Sequence, residues 1–272
     1  KITGEAFASD TLLRNAACSG CPVGCIHIGY FREKSLQANR YHFHQVAYDY
    51  EPIFAAGSML GITDCFAILR VLDSLEKVSL DAMSGGVALA WATEATERGL
   101  IGEDETLVPL AFGDSESYIK AAAFLGKGIN DFYRHLGQGT LKAAARYGGE
   151  EFACVLGQEM AGYATGELFF AAQSLGFRHS HLDTGAYSWD QKNSDKDVDG
   201  AVSFLMNDEP ERVLLTSMVA CLFARSVYTE DVLNDCLEAA GFSELASSLD
   251  RARENMRRLR WQVRFATGFN PE

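Results

Sequence analysis

Apolar residues return every three or four positions along most of this chain, a period that predicts helices rather than strands. Over 64–78, Phe66, Leu69, Leu72 and Leu75 fall on one helical face. The span 81–98 follows Ser79 and stops before Gly99, a residue suited to closing a helix. Spans 115–125, 129–136 and 140–147 are each followed by glycine, so a run of short helices joined by tight turns is expected. The same period returns over 168–175, 211–226, 230–239 and, with a basic face, 243–265. Two polar stretches rich in aromatics and histidines, 32–45 and 181–199, interrupt it and read as irregular, the second as a solvated loop. The best seam is Gly148-Gly149-Glu150-Glu151. The expectation is an all-α fold of two helical domains, 1–148 and 149–272.

Composition narrows the function. Of 272 residues, 47% are hydrophobic and 22% charged, and no apolar run approaches the ~20 residues that cross a bilayer. No membrane span is expected. A formal charge of -13 argues against nucleic acid, whose binders concentrate lysine and arginine to displace counterions. The start, Lys1-Ile2-Thr3-Gly4-Glu5, lacks the profile of a signal peptide, and seven cysteines do not form a secreted disulfide framework. A reducing, cytoplasmic setting fits both.

The cysteines carry the strongest chemistry. Cys18, Cys21 and Cys25 place three soft ligands within reach of one centre, with Gly20 and Gly24 letting the backbone turn around them. A redox loop and a closed zinc site are the alternatives, but zinc sites of this spacing pair with a second cysteine couple, and none follows. An iron–sulfur cluster suits the triplet better and needs a fourth ligand from far along the chain. Cys65, Cys154 and Cys236 sit among apolar neighbours and read as buried small hydrophobes.

With these features stand Tyr50-Glu51, the run Gly57-Ser58-Met59-Leu60-Gly61-Ile62, the stretch from Val78 to Gly86, Ala90-Trp91, Leu136-Gly137-Gln138-Gly139, the histidine segment 176–190 and Cys221-Leu222-Phe223-Ala224. In this order they resemble the aldehyde ferredoxin oxidoreductase family of tungsten and molybdenum enzymes, over nearly the whole chain. The resemblance implies a 4Fe-4S cluster held by Cys18, Cys21, Cys25 and Cys221. It also implies a tungsten or molybdenum bispterin between these helical domains and a β-rich N-terminal domain outside this chain. A fragment of that kind is expected to fold without activity, and pairing into a homodimer would cover the face left bare.

The family's two pterin loops correspond here to Glu76-Lys77-Val78-Ser79-Leu80-Asp81 and Thr216-Ser217-Met218-Val219-Ala220-Cys221. The family's leading aspartate is replaced by Glu76 and Thr216, and its glycine by Ser79 and Val219, which points to a divergent branch. The resemblance implies cofactor contacts at Glu76, Asp81, Thr216, His181 and Asp183. It implies oxidation of a small carbonyl substrate with electrons passing to ferredoxin or a similar acceptor.

Such chemistry needs a base for protons. Glu51 and His179 are the matching residues, with Asp49 and His181 as alternates. Pro52 excludes a helix interior, so Glu51 is expected on a turn or a first helical turn, where a simple capping role is the plainer alternative. An extended strand through 179–183 would set His179 and His181 on one face, with Asp183 two residues on, for a metal or proton-relay site. A hydrogen-bonded core histidine pair is the alternative there. His27, His42 and His44 are read as incidental. A helical di-metal site would need a Glu-x-x-His pair, and the chain has none. A non-catalytic iron–sulfur electron-transfer subunit is the rival reading.

Overall fold

The computed structural model describes residues 1–21, 23–35, 37–160, 162–176, 180–193 and 197–270. It divides into two compact units, Lys1–Gly162 and Tyr163–Glu272.

The first unit opens with helix α1 (Gly4–Asp10) and the strands β1 (Leu12–Ala16), β2 (Ile26–Ser35) and β3 (Arg40–Tyr48), which pair antiparallel in that order. The pairing of β2 with β3 runs from His27↔Tyr48 to Ser35↔Arg40, so the polar stretch 32–45 is a hairpin and not an irregular loop. Its period is two. Phe31, Val46 and Tyr48 are buried while Arg32, His42 and Gln45 are exposed, a pattern easily lost among so many polar residues. The sheet is the only strand structure among the described residues, and the fold remains mainly helical.

Helices α2 (Tyr50–Ala56), α3 (Cys65–Lys77), α4 (Ala82–Glu97), α5 (Glu103–Thr106), α6 (Ser115–Lys127), α7 (Asp131–Leu136) and α8 (Thr140–Tyr147) follow. Four of them begin on a side chain that accepts an N–H three residues on: Asp64 from Ala67, Asp81 from Ser84, Asp114 from Ser117 and Asn130 from Tyr133. These caps put the starts within two residues of the expected ones. The core joins Ile68, Leu69, Leu72 and Leu75 of α3 to Leu89 and Trp91 of α4 and to Tyr118, Phe132 and Tyr133. Each such side chain taken from water contributes about 1.5–3 kcal/mol. A Cβ on Gly86 would lie 2.5 Å from the Ala55 carbonyl oxygen, so α2 and α4 pack backbone against backbone. Burial pushes the Tyr118 phenol up to about 12, and its hydroxyl meets Thr93 Oγ1 at 2.9 Å.

Residues beyond Gly148 stay with this unit. Trp91 Nε1 donates to the Gly149 carbonyl at 3.3 Å, the Arg98 guanidinium lies 4.3 Å from the Phe152 ring centre, and Ala153 is buried. The Gly148-Gly149 pair is therefore a turn inside the first unit, whose border falls at Gly162.

The second unit comprises α9 (Glu167–Leu175), α10 (Ala186–Lys192), α11 (Val198–Ser217), α12 (Glu230–Ala239), α13 (Ser243–Ala246) and α14 (Leu249–Ala266). Three differences from expectation stand out. The 181–199 stretch contains α10; α11 starts at Val198 and runs through Pro210 instead of starting after it; and the expected 243–265 helix breaks at Ser247-Ser248. Pro210 removes one backbone donor, but a helix already formed on both sides tolerates it. The apolar cluster is small, centred on Leu214, Leu215, Leu233 and Leu249. Charge supplements it: Arg253, 9% exposed, reaches Glu211 at 2.8 Å, Asp250 at 2.8 Å and Glu230 at 3.7 Å, tying α11, α12 and α14 together.

Candidate cofactor and metal site

The cysteine triplet occupies the connection between β1 and β2. The ladder closes its base at Ala16↔Ile26, and the Cys21 N–H donates to the Cys18 carbonyl at 3.0 Å. Gly20 and Gly24 take φ of 74° and 63°, left-handed turns that glycine adopts without strain. All seven cysteines are free thiols, Cys18 exposed and Cys21 and Cys25 half-buried. Cys221 belongs to the second unit and is exposed, just before the one-turn helix Leu222–Ala224. Among the described residues, no three His, Cys, Asp or Glu side chains stand grouped as metal ligands.

The remaining cysteines divide. Cys65 is buried, and burial followed by Asp10 and Asp64 pushes its thiol up. Cys154 is half-buried, pushed up by burial and then by Glu159. Cys236 is exposed, contrary to the buried reading, because α12 turns only Leu233 into the core.

Next to the cysteine connection lies a cavity of about 420 Å³, walled by Leu12, Tyr48, Ile53 and Phe54 and edged by His27 and Asp49. His27 stacks on Tyr48 with ring centres 5.4 Å apart. Asp49 caps α2, its Oδ1 accepting the Tyr50 N–H at 2.8 Å. Glu51 sits half-buried on the first turn of α2, where Pro52 requires it. Helix N-termini favour a carboxylate in its charged, proton-accepting form.

His179 lies outside the described residues. His181 stacks on Tyr163 at 4.3 Å, and Asp183 is 1% exposed. The chain through 180–183 is not an extended strand. The Asp183 N–H donates to the Ser180 carbonyl at 3.0 Å and the Leu182 N–H to Ser180 Oγ at 3.2 Å, closing a turn whose short polar side chain competes with strand geometry.

The two stretches matched to pterin loops have one backbone form. At the end of α3, Ser79 N–H donates to Glu76 O at 3.0 Å and Leu80 N–H to Leu75 O at 3.1 Å; at the end of α11, Val219 N–H donates to Thr216 O at 3.1 Å and Ala220 N–H to Leu215 O at 2.9 Å. This is the Schellman closure, and it needs a left-handed residue. Ser79 has φ 59° and Val219 φ 60°, so the turn persists although neither residue is glycine.

Each turn borders a polar cavity. In the first unit, about 290 Å³ is lined by Asp81, Ser84, Gln138, Thr140 and Glu159. Glu159 Oε1 accepts the Thr140 N–H at 3.2 Å, while the buried Thr140 Oγ1 has no partner among the described residues. Glu76 is exposed and does not line it. In the second unit, about 270 Å³ is lined by Asp183, Arg212, Thr216, Ser217 and Arg260, so two of the expected cofactor residues meet there. Thr216 Oγ1 donates to the Arg212 carbonyl at 2.7 Å, which leaves its lone pairs available. Sequence reading missed Thr140, Glu159, Arg212 and Arg260, which no spacing singles out.

The model of aldehyde ferredoxin oxidoreductase domains 2 and 3 matches residues 1–272. The chain belongs to the aldehyde ferredoxin oxidoreductase family. A tungsten-containing aldehyde ferredoxin oxidoreductase of Pyrococcus abyssi is 28% identical over 254 residues, covering 88% of this chain and 40% of the relative. That of Thermococcus kodakarensis is 31% identical over 156 residues, covering 56% of the chain and 24% of the relative. An aliphatic sulfonate oxidoreductase, WOR-like subunit, of Pyrococcus furiosus is 28% identical over 129 residues, 47% of the chain and 20% of that protein. The chain thus spans well under half the length of these family members. Its two left-handed turns and the orphaned Thr140 hydroxyl are compatible with a hydrogen-bonding cofactor ring in the first cavity, an orphaned buried polar atom being costly unless a partner arrives.

Proposed function

We propose that this chain is the helical part of a tungsten- or molybdenum-pterin oxidoreductase that oxidises a small carbonyl compound and passes electrons through a 4Fe-4S cluster to ferredoxin or a similar acceptor. The paired helix-end turns, each beside a polar cavity, carry the reading. Asp81, Glu159 and Thr140 would hold one pterin, and Asp183 and Thr216 the other. Cys18, Cys21, Cys25 and Cys221 would hold the cluster, a set of thiolates suited to iron. When bound, the metal–pterin group supplies a two-electron oxidation and the cluster an outlet for the electrons.

The overall conversion takes aldehyde and water to acid, two protons and two electrons. Glu51, half-buried on the first turn of α2, takes one of those protons at a carboxylate oxygen. The walls of the 420 Å³ cavity, Leu12, Ile53 and Phe54, exclude water from an apolar substrate.

Metal analysis of the full-length protein tests the reading. Tungsten or molybdenum near one per chain, with iron, and aldehyde-dependent reduction of a viologen dye are expected. Iron without either metal would leave a non-catalytic iron–sulfur subunit. Glu51→Gln should lower turnover by about 10²-fold or more, with the metal content unchanged. Unchanged turnover moves the proton to Asp49 or a histidine.

A further inference from the structure

The second unit holds a charge cluster around Asp183 whose arginines have no part in the proposed function. Arg260 reaches Asp183 at 3.2 Å and Glu209 at 3.6 Å, and Arg212 reaches Asp208 at 2.7 Å. Asp208 also accepts the Gly185 N–H at 2.5 Å. Arg264, 6% exposed, donates to the Ser174 carbonyl at 2.6 Å and to the Gly176 carbonyl, and it faces the field of Asp183 and Glu209. Among the described residues, Arg212, Arg257, Arg260 and Arg264 therefore stand against Asp183, Asp208 and Glu209. Arg212 and Arg260 line the 270 Å³ cavity, whereas Glu209 does not.

Arginine stays charged, whereas burial pushes the Glu209 carboxyl up, opposed by Arg260, aided by Asp183 and opposed again by Arg257 and Arg264. The guanidiniums of Arg212 and Arg260 face the cavity. Arg212 is 7% exposed and Asp183 1%, so this is a built, desolvated site and not a solvated surface pair.

We propose that the cavity lined by Asp183, Arg212, Ser217 and Arg260 binds a small oxyanion, a carboxylate, phosphate or sulfonate group, through the two guanidiniums. Planar guanidinium donors match the paired oxygens of such groups, and the low surrounding polarity strengthens the contact. The oxyanion belongs to a free ligand or to the end of a larger one. The cavity is the one assigned above to a pterin through Asp183 and Thr216; the inference rests on the two guanidiniums beside them, and a test on the cofactor-free chain separates it from that reading.

The test uses the cofactor-free 272-residue chain with inorganic phosphate, acetate and methanesulfonate at ionic strength fixed by sodium chloride. Binding is followed by ligand NMR line broadening and by thermal shift. Saturation by at least one anion below about 10 mM is expected, and the tightest of the three names the oxyanion class. Arg260→Gln should weaken it at least about tenfold, and Glu209→Gln, which removes the carboxylate competing for Arg260, should tighten it at least about threefold. Arg212→Gln should also weaken binding, but each arginine variant releases carboxylates, Asp208 in one and Asp183 with Glu209 in the other, so a loss in Arg260→Gln counts only beside a gain in Glu209→Gln. Opposite shifts in those two support the site. No saturation, or equal affinity in wild type, Arg260→Gln and Glu209→Gln, overturns it.

Discussion

The turn that ends α3 and the turn that ends α11 share a backbone and differ in what surrounds it. Both close with the same pair of N–H···O=C bonds and a left-handed residue, Ser79 in one and Val219 in the other. Beside the first lie the carboxylates of Asp81 and Glu159; beside the second lie Arg212 and Arg260 with the buried Asp183. A Schellman closure is local, satisfying the last carbonyls of its own helix, so it survives loss of the motif's glycine. The charges are tertiary. Glu159 comes from a segment folded back on the first unit, and Arg260 from α14, far along the chain from the turn it faces. One motif thus stands in an acidic setting in the first unit and beside arginines in the second.

The strongest way to break this comparison is to remove the acid of each cavity. Asp183→Asn leaves Arg260 without its buried carboxylate and should cost about 3–5 kcal/mol, read by chemical denaturation. Asp81→Ala removes only an exposed helix cap and should cost about 1 kcal/mol. Equal costs would mean that the two settings do not differ as described.

Next is pH. Glu209 has its carboxyl raised above the ordinary 4.5, chiefly by burial. The folded state then holds a proton that the unfolded chain has released, so its contribution to stability falls as pH rises from about 4.5 through the raised value. Glu209→Gln should flatten that part of the profile, and wild type and variant should converge toward acid pH. Parallel profiles would show that Glu209 is not perturbed.

The turns themselves give smaller effects. A β-branched residue at positive φ is strained, and Val219 is 93% exposed, so no packing compensates. Val219→Gly should stabilise the protein by about 1 kcal/mol, after allowance for the greater freedom of glycine when unfolded. Ser79→Gly should gain only about 0.5 kcal/mol, since a serine hydroxyl can bond locally and β-branching is absent. Denaturant midpoints of the two variants rank them; a larger gain at Ser79 would contradict the shared geometry.

Much of the helical framework was legible because its signals are local. The apolar period and the closing glycines were enough to find it, and the spans 140–147 and 230–239 match helices α8 and α12 as found. The hairpin was not legible, since its buried residues Phe31, Val46 and Tyr48 are scattered among charged ones and gain their meaning only from strand partners and from α3. Nor was α11, expected over 211–226 from its apolar period but running from Val198 through Pro210 to Ser217. The seam was misplaced because Gly148-Gly149 makes a turn, and only Trp91 and Arg98 show that the chain beyond it returns to the first unit.

The candidate site divides in the same way. Sequence by itself determined the cysteine triplet, the family, Glu51 on a turn or first helical turn and the two stretches matched to pterin loops, because each depends on spacing along the chain or on residue chemistry; the turn at Val219 was not among them, since a helix was expected through it. Only the tertiary structure decided that Asp183 folds into a turn and meets Thr216, that Thr140 and Glu159 stand beside Asp81, and that arginines line the second cavity. Those neighbours come from distant segments, and a field or a hydrogen bond acts through space at a few ångströms, whatever the separation in sequence.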